Sequence, residues 1–222
     1  MNFLDVAGPP GSGKSTLCDP LFGPHAIPIG NLLPPYAWHD FLNEITRLLI
    51  LIAPHPKSSA AVRMTNRSIR KMATVARKDG TLPYIQTGLV QRGLGFGWRM
   101  NDMGVNLDEL RHYFRLMPVS IGVAVTRCDP DVVRQRNRDR LKVQETAHEN
   151  RDFMVPLMQP AIELAIEVLR ERGVPVIEID TEQPIDQSRD ALVGFSRQEP
   201  CDAAKDGLGN KVAVVQTPPW WS

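Results

Sequence analysis

The chain has 222 residues, of which 42% are hydrophobic and 23% charged, and its formal net charge is +1. That length and composition suit one α/β core with a small appended lid, and the near-neutral charge gives no overall bias towards nucleic acid or membrane surfaces. The three cysteines, Cys18, Cys128 and Cys201, are widely spaced, which argues against a disulfide framework or a zinc site and for a reducing compartment.

The start of the chain and its apolar runs bear on its location. Met1 leads straight into the first predicted strand, so the sequence predicts no signal peptide. The longest apolar run, residues 48–53, is too short to span a bilayer. We therefore expect a soluble cytoplasmic protein with no membrane partner.

The first predicted elements, over residues 3–17, are a strand, a glycine-rich turn and the start of a helix. Four residues fill the fixed positions of the Gly-x-x-x-x-Gly-Lys-Ser/Thr phosphate-binding loop: Gly8, Gly13, Lys14 and Ser15. Glycine lets backbone N–H groups converge on phosphate oxygens, the lysine ammonium reaches the β- and γ-phosphates, and the serine hydroxyl can ligate Mg²⁺. An ordinary glycine turn is the alternative, but the apolar strand before it and the helix after it favour the phosphate-binding loop.

The loop predicts a binding site for a nucleoside triphosphate, with ATP and Mg²⁺ as the expected cofactors. We expect Lys14 to take part in catalysis and Ser15 to ligate the metal. The predicted binding loop comprises Gly8, Pro9, Pro10, Gly11, Ser12, Gly13, Lys14, Ser15 and Thr16.

A short strand at 26–29 and a core-packing helix at 35–53 follow the loop, and a second helix is predicted at about 58–78. This helix is unusual because no acidic residue occurs between Glu44 and Asp79. Basic residues gather there instead: Lys57, Arg63, Arg67, Arg70, Lys71, Arg77 and Lys78. The segment is either the solvated face of a surface helix or an anion-gathering wall for a substrate phosphate or a nucleic-acid backbone.

A third strand at 82–86 is followed by a glycine-punctuated stretch, residues 87–98, which we interpret as a loop. Ligands gather beyond the carboxyl ends of parallel strands, so this stretch should face the phosphate-binding loop. Gln91 and Arg92 are therefore candidates for contacts with a second substrate. The alternative is a glycine-rich connector that carries an incidental exposed arginine.

A buried strand at 120–125 precedes an arginine-rich helix. Arg136 and Arg140 are four residues apart, so they lie on one face of that helix and could clamp a polyphosphate together. The polar segment that follows the helix predicts a mobile lid over about residues 134–150.

The last predicted elements are a helix at about 151–172, a strand at 174–179 and a helix at 184–195. Residues 198–222 are polar and punctuated by glycine and proline, which predicts a tail without a core of its own. Strands that alternate with helices predict an α/β fold with a parallel sheet of roughly five strands, helices on both faces and a small lid. We expect this fold to occupy residues 1–197 as one domain.

Two motifs of other proteins with a phosphate-binding loop are missing. The Asn-Lys-x-Asp motif with which GTP switches read guanine has only an incomplete match at 210–213, and no predicted strand ends in the Asp-Glu pair of ring-forming ATPases. Both of these classes are therefore disfavoured.

The motifs that are present resemble those of thymidylate kinases and related nucleotide kinases. They are the N-terminal loop, the run 119–125 with the later Arg136 and Arg140, and the closing strand that ends at Asp180. The resemblance covers most of residues 1–180 and implies a P-loop kinase fold. It also implies that the two arginines are lid residues that offset the charge of the γ-phosphate.

The sequence departs from thymidylate kinases after the third strand, where Gln86 and Thr87 stand in place of an Asp-Arg pair and the nearest arginine is Arg92. A narrower resemblance is to the bacteriophage kinases that phosphorylate 5-hydroxymethyluracil within DNA during thymidine hypermodification. It implies transfer of the γ-phosphate of ATP to the hydroxymethyl oxygen of 5-hydroxymethyl-deoxyuridine, in the host cytoplasm. The basic segment 57–78 and the nearby Trp98 suit a polyanionic acceptor that presents a base.

An alcohol acceptor benefits from a carboxylate that receives its proton, whereas a phosphate acceptor does not need one. Asp5 is the first candidate, because a carboxylate in a buried strand is costly and usually has a partner or a task. Asp102 is the second candidate. The alternative for Asp5 is a structural carboxylate that a neighbouring element satisfies.

The predicted catalytic residues are Lys14, Arg136, Arg140, Asp5 and Arg92. The predicted partners are ATP and an acceptor, either DNA that carries a modified thymine or a free nucleotide. Two alternative functions stay open at this point: a kinase for free deoxynucleoside monophosphates, and a nucleotide-dependent NTPase or switch protein without transfer chemistry.

Overall fold

The computed structural model describes residues 4–22, 39–73, 84–86, 88–118, 122–143 and 154–197, with the backbone alone for 19–22, 67–73, 84–86, 140–143 and 197. Its strands are β1 (Leu4–Ala7), β2 (Tyr84–Gln86), β3 (Gly122–Arg127) and β4 (Val176–Asp180). Its helices are α1 (Lys14–Phe22), α2 (His39–Leu51), α3 (Ser58–Ala73), α4 (Leu89–Asp102), α5 (Glu109–Leu116), α6 (Pro130–Val143), α7 (Met154–Glu171) and α8 (Ile185–Arg197).

The four strands form one parallel sheet in the order β2-β1-β3-β4. β1 is therefore an inner strand, and its Asp5 lies level with Ile85 of β2 on one side and Val123 of β3 on the other. Parallel neighbours cannot be joined by a tight hairpin, so the chain returns through helices between successive strands. The phosphate-binding loop leaves the carboxyl end of this inner strand.

Apolar side chains cover both faces of the sheet. Successive strand residues point to opposite faces, so Ala7 and Val125 join the main core with α2, α3, α4, α5 and α7. Leu4 and Val6 pack on the other face, where they meet Leu192 of α8. The sheet is thus enclosed on both sides, as apolar parallel strands require.

The predicted α/β class, the parallel sheet and its helical cover on both faces are confirmed. The described residues contain four strands rather than about five, and the strand expected at 26–29 lies outside them. The lid segment 144–150 and the tail 198–222 also lie outside the described residues, so the domain boundaries stay predictions. Of the helices in the described ranges, none has the length and apolarity to cross a bilayer.

The main local difference from the sequence prediction concerns residues 87–98. The prediction of a loop there is wrong, because this stretch contains most of α4. The glycines there serve packing. A Cβ on Gly93 would lie 2.4 Å from a ring carbon of Phe114, and one on Gly97 would lie 2.3 Å from the Cβ of Ala161. α4 therefore approaches α5 and α7 more closely than any other residue would allow, and this packing overrides the low helix propensity of glycine.

Candidate functional site

The phosphate-binding loop connects β1 to α1 and depends on glycine at two positions in particular. Gly11 and Gly13 have φ angles of 88° and 86°, which side chains with a Cβ rarely adopt. Space is limited as well, because a Cβ on Gly11 would lie 2.6 Å from Oδ1 of Asn137 in α6. The loop thus has the tight glycine turns that let amide groups point at an anion.

Lys14 is the first residue of α1, and its side chain folds back over the loop. Its Nζ donates hydrogen bonds to the carbonyl oxygens of Gly8, at 2.7 Å, and Pro9, at 2.8 Å. Ser15 lies next to it in the first turn of α1 and is partly exposed. The ammonium, the serine hydroxyl and the positive end of the helix dipole therefore meet at one place.

Two polar side chains from other elements anchor the loop, and the sequence prediction missed both. Thr126, near the end of β3, makes a 2.6 Å hydrogen bond with the Ser12 hydroxyl, and its Oγ1 donates to the Ala7 carbonyl at 3.1 Å. Asn137 Nδ2 of α6 donates to the Pro10 carbonyl at 3.2 Å. The available signals were a polar residue at the end of an inner strand and an amide side chain next to a predicted lid arginine.

Arg136 lies beside the second half of the loop. Its two terminal nitrogens donate to Oγ1 and the carbonyl oxygen of Thr181, at 3.2 and 2.9 Å, just beyond β4. A Cβ on Gly13 would lie 3.6 Å from Arg136 Nη1, so the guanidinium is close to the loop backbone. The side chain of Arg140 is outside the described residues, and its predicted partnership with Arg136 stays a prediction.

A cavity of about 510 Å³ adjoins the loop between α3, α4 and α7. Pro10 of the loop lines it, and so does Gln91, whose Oε1 accepts a 3.0 Å hydrogen bond from the Gly8 N–H. Four cationic side chains line this cavity: Lys57, Arg63, Arg92 and Arg99. The described residues contribute no carboxylate to its lining.

Arg92 and Arg99 are buried in the wall of this cavity, at 8% and 5% exposure. Arg99 donates to the carbonyl oxygens of Lys57, at 3.2 Å, and Gly95, at 2.5 Å, and its guanidinium carbon lies 4.4 Å from the centroid of the Trp98 ring. Burial, together with the positive charge of Arg92, lowers the pKa of Arg99 to about 10. Two like charges thus share one poorly solvated wall, an arrangement that an anionic ligand would stabilise.

The structure describes only part of the basic wall predicted over 57–78. Lys57 and Arg63 line the cavity, whereas the side chains of Arg67, Arg70 and Lys71 fall outside the described residues. Arg77 and Lys78 lie outside them altogether. Arg99 was not among the predicted site residues, because the glycine-rich stretch before it was interpreted as a loop, and a loop gives no helical register that would place this arginine beside Arg92.

The two carboxylates proposed as bases lie at opposite ends of α4. Asp5 is buried beneath the first turn, where its Oδ2 accepts a 3.1 Å hydrogen bond from Val90 N–H. Asp102 is the last residue of the helix, about 20 Å further along, and accepts a 3.0 Å hydrogen bond from Nε2 of the buried His55. Neither carboxylate lines the cavity, and only Asp5 lies near the loop.

No family model matches the sequence, and a search of curated proteins found no match. Two solved structures of deoxyadenosine kinase from M. mycoides are similar to this chain over 86% of its length. The one with bound dCTP is covered over 96% of its chain, at 13% identity and a TM-score of 0.47. The one with bound dATP is covered over 97%, at 11% identity and a TM-score of 0.48. Similarity of this size identifies neither a family nor a substrate.

Proposed function

We propose that this chain is a kinase that transfers the γ-phosphate of a nucleoside triphosphate to a phosphate-bearing nucleotide. The observation that supports this most is the cationic cavity beside the phosphate-binding loop. The two adjoin each other, because Pro10 of the loop also lines the cavity. A protein that only bound or hydrolysed a nucleoside triphosphate would have no use for Arg92 and Arg99, two buried cations beside the loop. Buried charge is costly, so its presence in a cleft is a sign of a ligand.

The donor half of the site would hold the triphosphate. The loop amides, the Lys14 ammonium and the Arg136 guanidinium would offset the charge of its phosphates, which is the main requirement of phosphoryl transfer. Ser15 would ligate Mg²⁺, and its partly exposed hydroxyl in the first turn of α1, next to Lys14, fits this ion, whose further ligands would include the phosphates and water. When bound, the ion would neutralise charge on the β- and γ-phosphates.

The acceptor half would hold a nucleotide in the cavity. Arg92 and Arg99 would bind its phosphate, with Lys57 and Arg63 adding positive charge at the wall formed by α3 and the turn before it. Phe96 and Trp98 are among the apolar lining residues that would contact the base or sugar. A volume of about 510 Å³ suits one nucleotide, either free or extruded from a strand.

The finer proposal concerns which atom is phosphorylated. The sequence resemblance to the phage kinases favours the hydroxymethyl oxygen of 5-hydroxymethyl-deoxyuridine in DNA. A phosphate oxygen of a free deoxynucleoside monophosphate is the other acceptor with the same anionic chemistry. The first reaction needs a proton acceptor and the second does not, so only the first would depend on a general base.

A transfer assay separates these acceptors. The purified full chain is incubated with Mg²⁺ and γ-labelled ATP, or GTP in a parallel series, and with one of three acceptors. They are an oligonucleotide with a single 5-hydroxymethyl-deoxyuridine, single-stranded or in duplex; the same oligonucleotide with thymidine at that place; and each deoxynucleoside monophosphate. We expect label on the modified oligonucleotide alone, and none with the Lys14→Ala variant.

Two other results would change the proposal at different levels. Label on the monophosphates alone would retain the kinase and overturn the DNA acceptor. Release of inorganic phosphate with no labelled acceptor in any arm would overturn the kinase itself and favour an NTPase or switch protein.

A further inference from the structure

The first turn of α4 is held from three sides by groups that belong to other parts of the fold. From β1, Asp5 Oδ2 accepts the hydrogen bond of Val90 N–H at 3.1 Å. From α5, the Tyr113 hydroxyl donates to the Leu89 carbonyl at 2.8 Å. Gln91, one residue further, accepts from the Gly8 N–H of the loop at 3.0 Å. The turn therefore connects the strand, the loop and the cavity wall.

Asp5 is closely surrounded by the start of α4. The side chain is buried at 2% exposure, and its carboxyl packs against the helix start so closely that a Cβ on Gly88 would lie 2.5 Å from Oδ2. Oδ1 accepts no hydrogen bond from any residue that the structure describes. Burial raises the pKa of this carboxyl to about 7, although the amide of Val90 and the charge of Arg92 oppose the shift.

This placement suits a different task from proton abstraction. A general base must come within hydrogen-bond reach of the acceptor oxygen, directly or through one water. Asp5 does not line the cavity, and the start of α4 covers its carboxyl. What it does reach is the amide of the residue that precedes Gln91 and Arg92, one of which bonds the loop while the other faces the cavity.

We propose that Asp5 is a positioning residue: by holding the first turn of α4, it sets Gln91 against the phosphate-binding loop and Arg92 in the acceptor cavity. A carboxylate that touches neither substrate would thus fix the position of the donor half of the site relative to the acceptor half. Among the residues that the structure describes, the charged and titratable groups around it are Arg92 on α4 and Tyr113 on α5. The kinetic part of this inference rests on the proposed kinase function, but the structural part does not.

Two substitutions of Asp5 test the inference. Asp5→Asn keeps an oxygen that can accept from Val90 N–H, whereas Asp5→Val suits a strand but removes the acceptor. The first readout is hydrogen–deuterium exchange of the amides of residues 88–92 in the full chain, which needs no substrate. We expect exchange to rise about tenfold in the Val variant, as loss of one hydrogen bond implies, and to stay near the wild-type rate in the Asn variant.

The second readout is kinetic and uses ATP with whichever acceptor is labelled in the transfer assay. We expect Asp5→Val to raise the acceptor KM about tenfold, while Asp5→Asn retains kcat within about threefold and keeps the wild-type pH profile. Asp108→Asn is the matched control, because Asp108 is exposed at the start of α5 and its side chain makes no capping hydrogen bond.

Three results would overturn the inference. One is unchanged exchange at 88–92 in Asp5→Val. If that variant does not fold, exchange at 88–92 in Asp5→Asn that is about tenfold above the wild-type rate serves instead, because Asn keeps an acceptor for Val90 N–H. The second is a loss of kcat of about 100-fold or more in Asp5→Asn while exchange at 88–92 stays normal, together with loss of the acidic limb of the pH–rate profile near pH 7. That result would make Asp5 the general base. The third is a raised KM for ATP alone. Failure of every acceptor would reject the kinase proposal but leave the exchange result to decide the role of Asp5.

Discussion

The two halves of the candidate site hold their ligand-facing groups in different ways. In the phosphate-binding loop, the backbone itself is shaped by glycine and fixed by neutral side chains, such as Thr126 and Asn137, while Lys14 bonds carbonyl oxygens of the same loop. In the cavity, two of the four positive charges sit on the buried Arg92 and Arg99, and backbone carbonyls and the Trp98 ring hold Arg99 in place. The loop is a local structure, and the cavity exists only because α3, α4 and α7 pack together.

This difference has an energetic consequence. Amide groups that point at an anion cost little in its absence, because they are neutral and lie at the end of a helix. A buried guanidinium loses hydration, which the lowered pKa of Arg99 reflects. The buried charge of the cavity thus lowers the free energy of unfolding. Binding of a negatively charged ligand would restore part of that free energy.

The largest expected effect comes from the loop. Lys14→Ala should lower the transfer rate about 100- to 1,000-fold, since it removes the cation that the γ-phosphate needs in the transition state. Binding of the acceptor, measured by calorimetry, should change little, because Lys14 does not line the cavity. Lys57→Ala is the matched control, and it should raise the acceptor KM with little change in kcat. If Lys14→Ala weakened acceptor binding as much as transfer, the two halves would not be separate.

The next prediction tests the acceptor half of the site. Arg92→Ala should lower kcat/KM for the acceptor about 10- to 100-fold, as expected for hydrogen bonds to a charged group, while ATP affinity is retained. Arg111→Ala is the control, because Arg111 pairs with Glu167 on the surface between α5 and α7 and should have almost no effect. Unchanged transfer in Arg92→Ala would remove this arginine from the acceptor site.

A smaller effect is expected at the edge of the donor half. Arg136→Ala should raise the KM for ATP about tenfold, because the guanidinium that Thr181 orients next to Gly13 is lost. Thr181→Val removes one of the two hydrogen bonds and should have a weaker effect in the same direction. A fall in melting temperature with an unchanged KM for ATP would instead show that Arg136 only ties α6 to the end of β4.

The same contrast explains what could be predicted from the sequence. The loop follows from a motif whose residues are adjacent in the chain, so the motif alone was enough to place Lys14 and Ser15. The parallel sheet followed from apolar runs between helices. The cavity could not be predicted, because Arg99 comes to face Lys57 only through the packing of α4, and glycine that serves close packing has the same sequence pattern as glycine in a loop.

The anchors of the loop were missed for a related reason. Thr126 and Asn137 are more than 110 residues from the loop positions that they bond, and their local signals, a polar residue at a strand end and an amide next to Arg136, do not by themselves point to the loop. Asp5 was noticed because a carboxylate in a buried strand is unusual. Its partner, the amide of Val90, could not be foreseen while residues 87–98 were interpreted as a loop.

The last prediction concerns stability at the point where the two halves meet. Because burial raises the pKa of Asp5 from 3.8 to about 7, the folded state holds a proton between about pH 4 and 7 that the unfolded state has lost. The unfolding free energy should therefore fall as pH rises through this window, with a slope from this group of up to about 1.4 kcal/mol per pH unit, and level off above it. Asp5→Asn should remove that slope, whereas Asp108→Asn should retain it, in urea unfolding measured from pH 4.5 to 8. Parallel curves for wild type and Asp5→Asn would mean that Asp5 ionises near its ordinary pKa in the folded chain, and that the turn above it is more open to water than the contacts of Gly88 and Val90 imply.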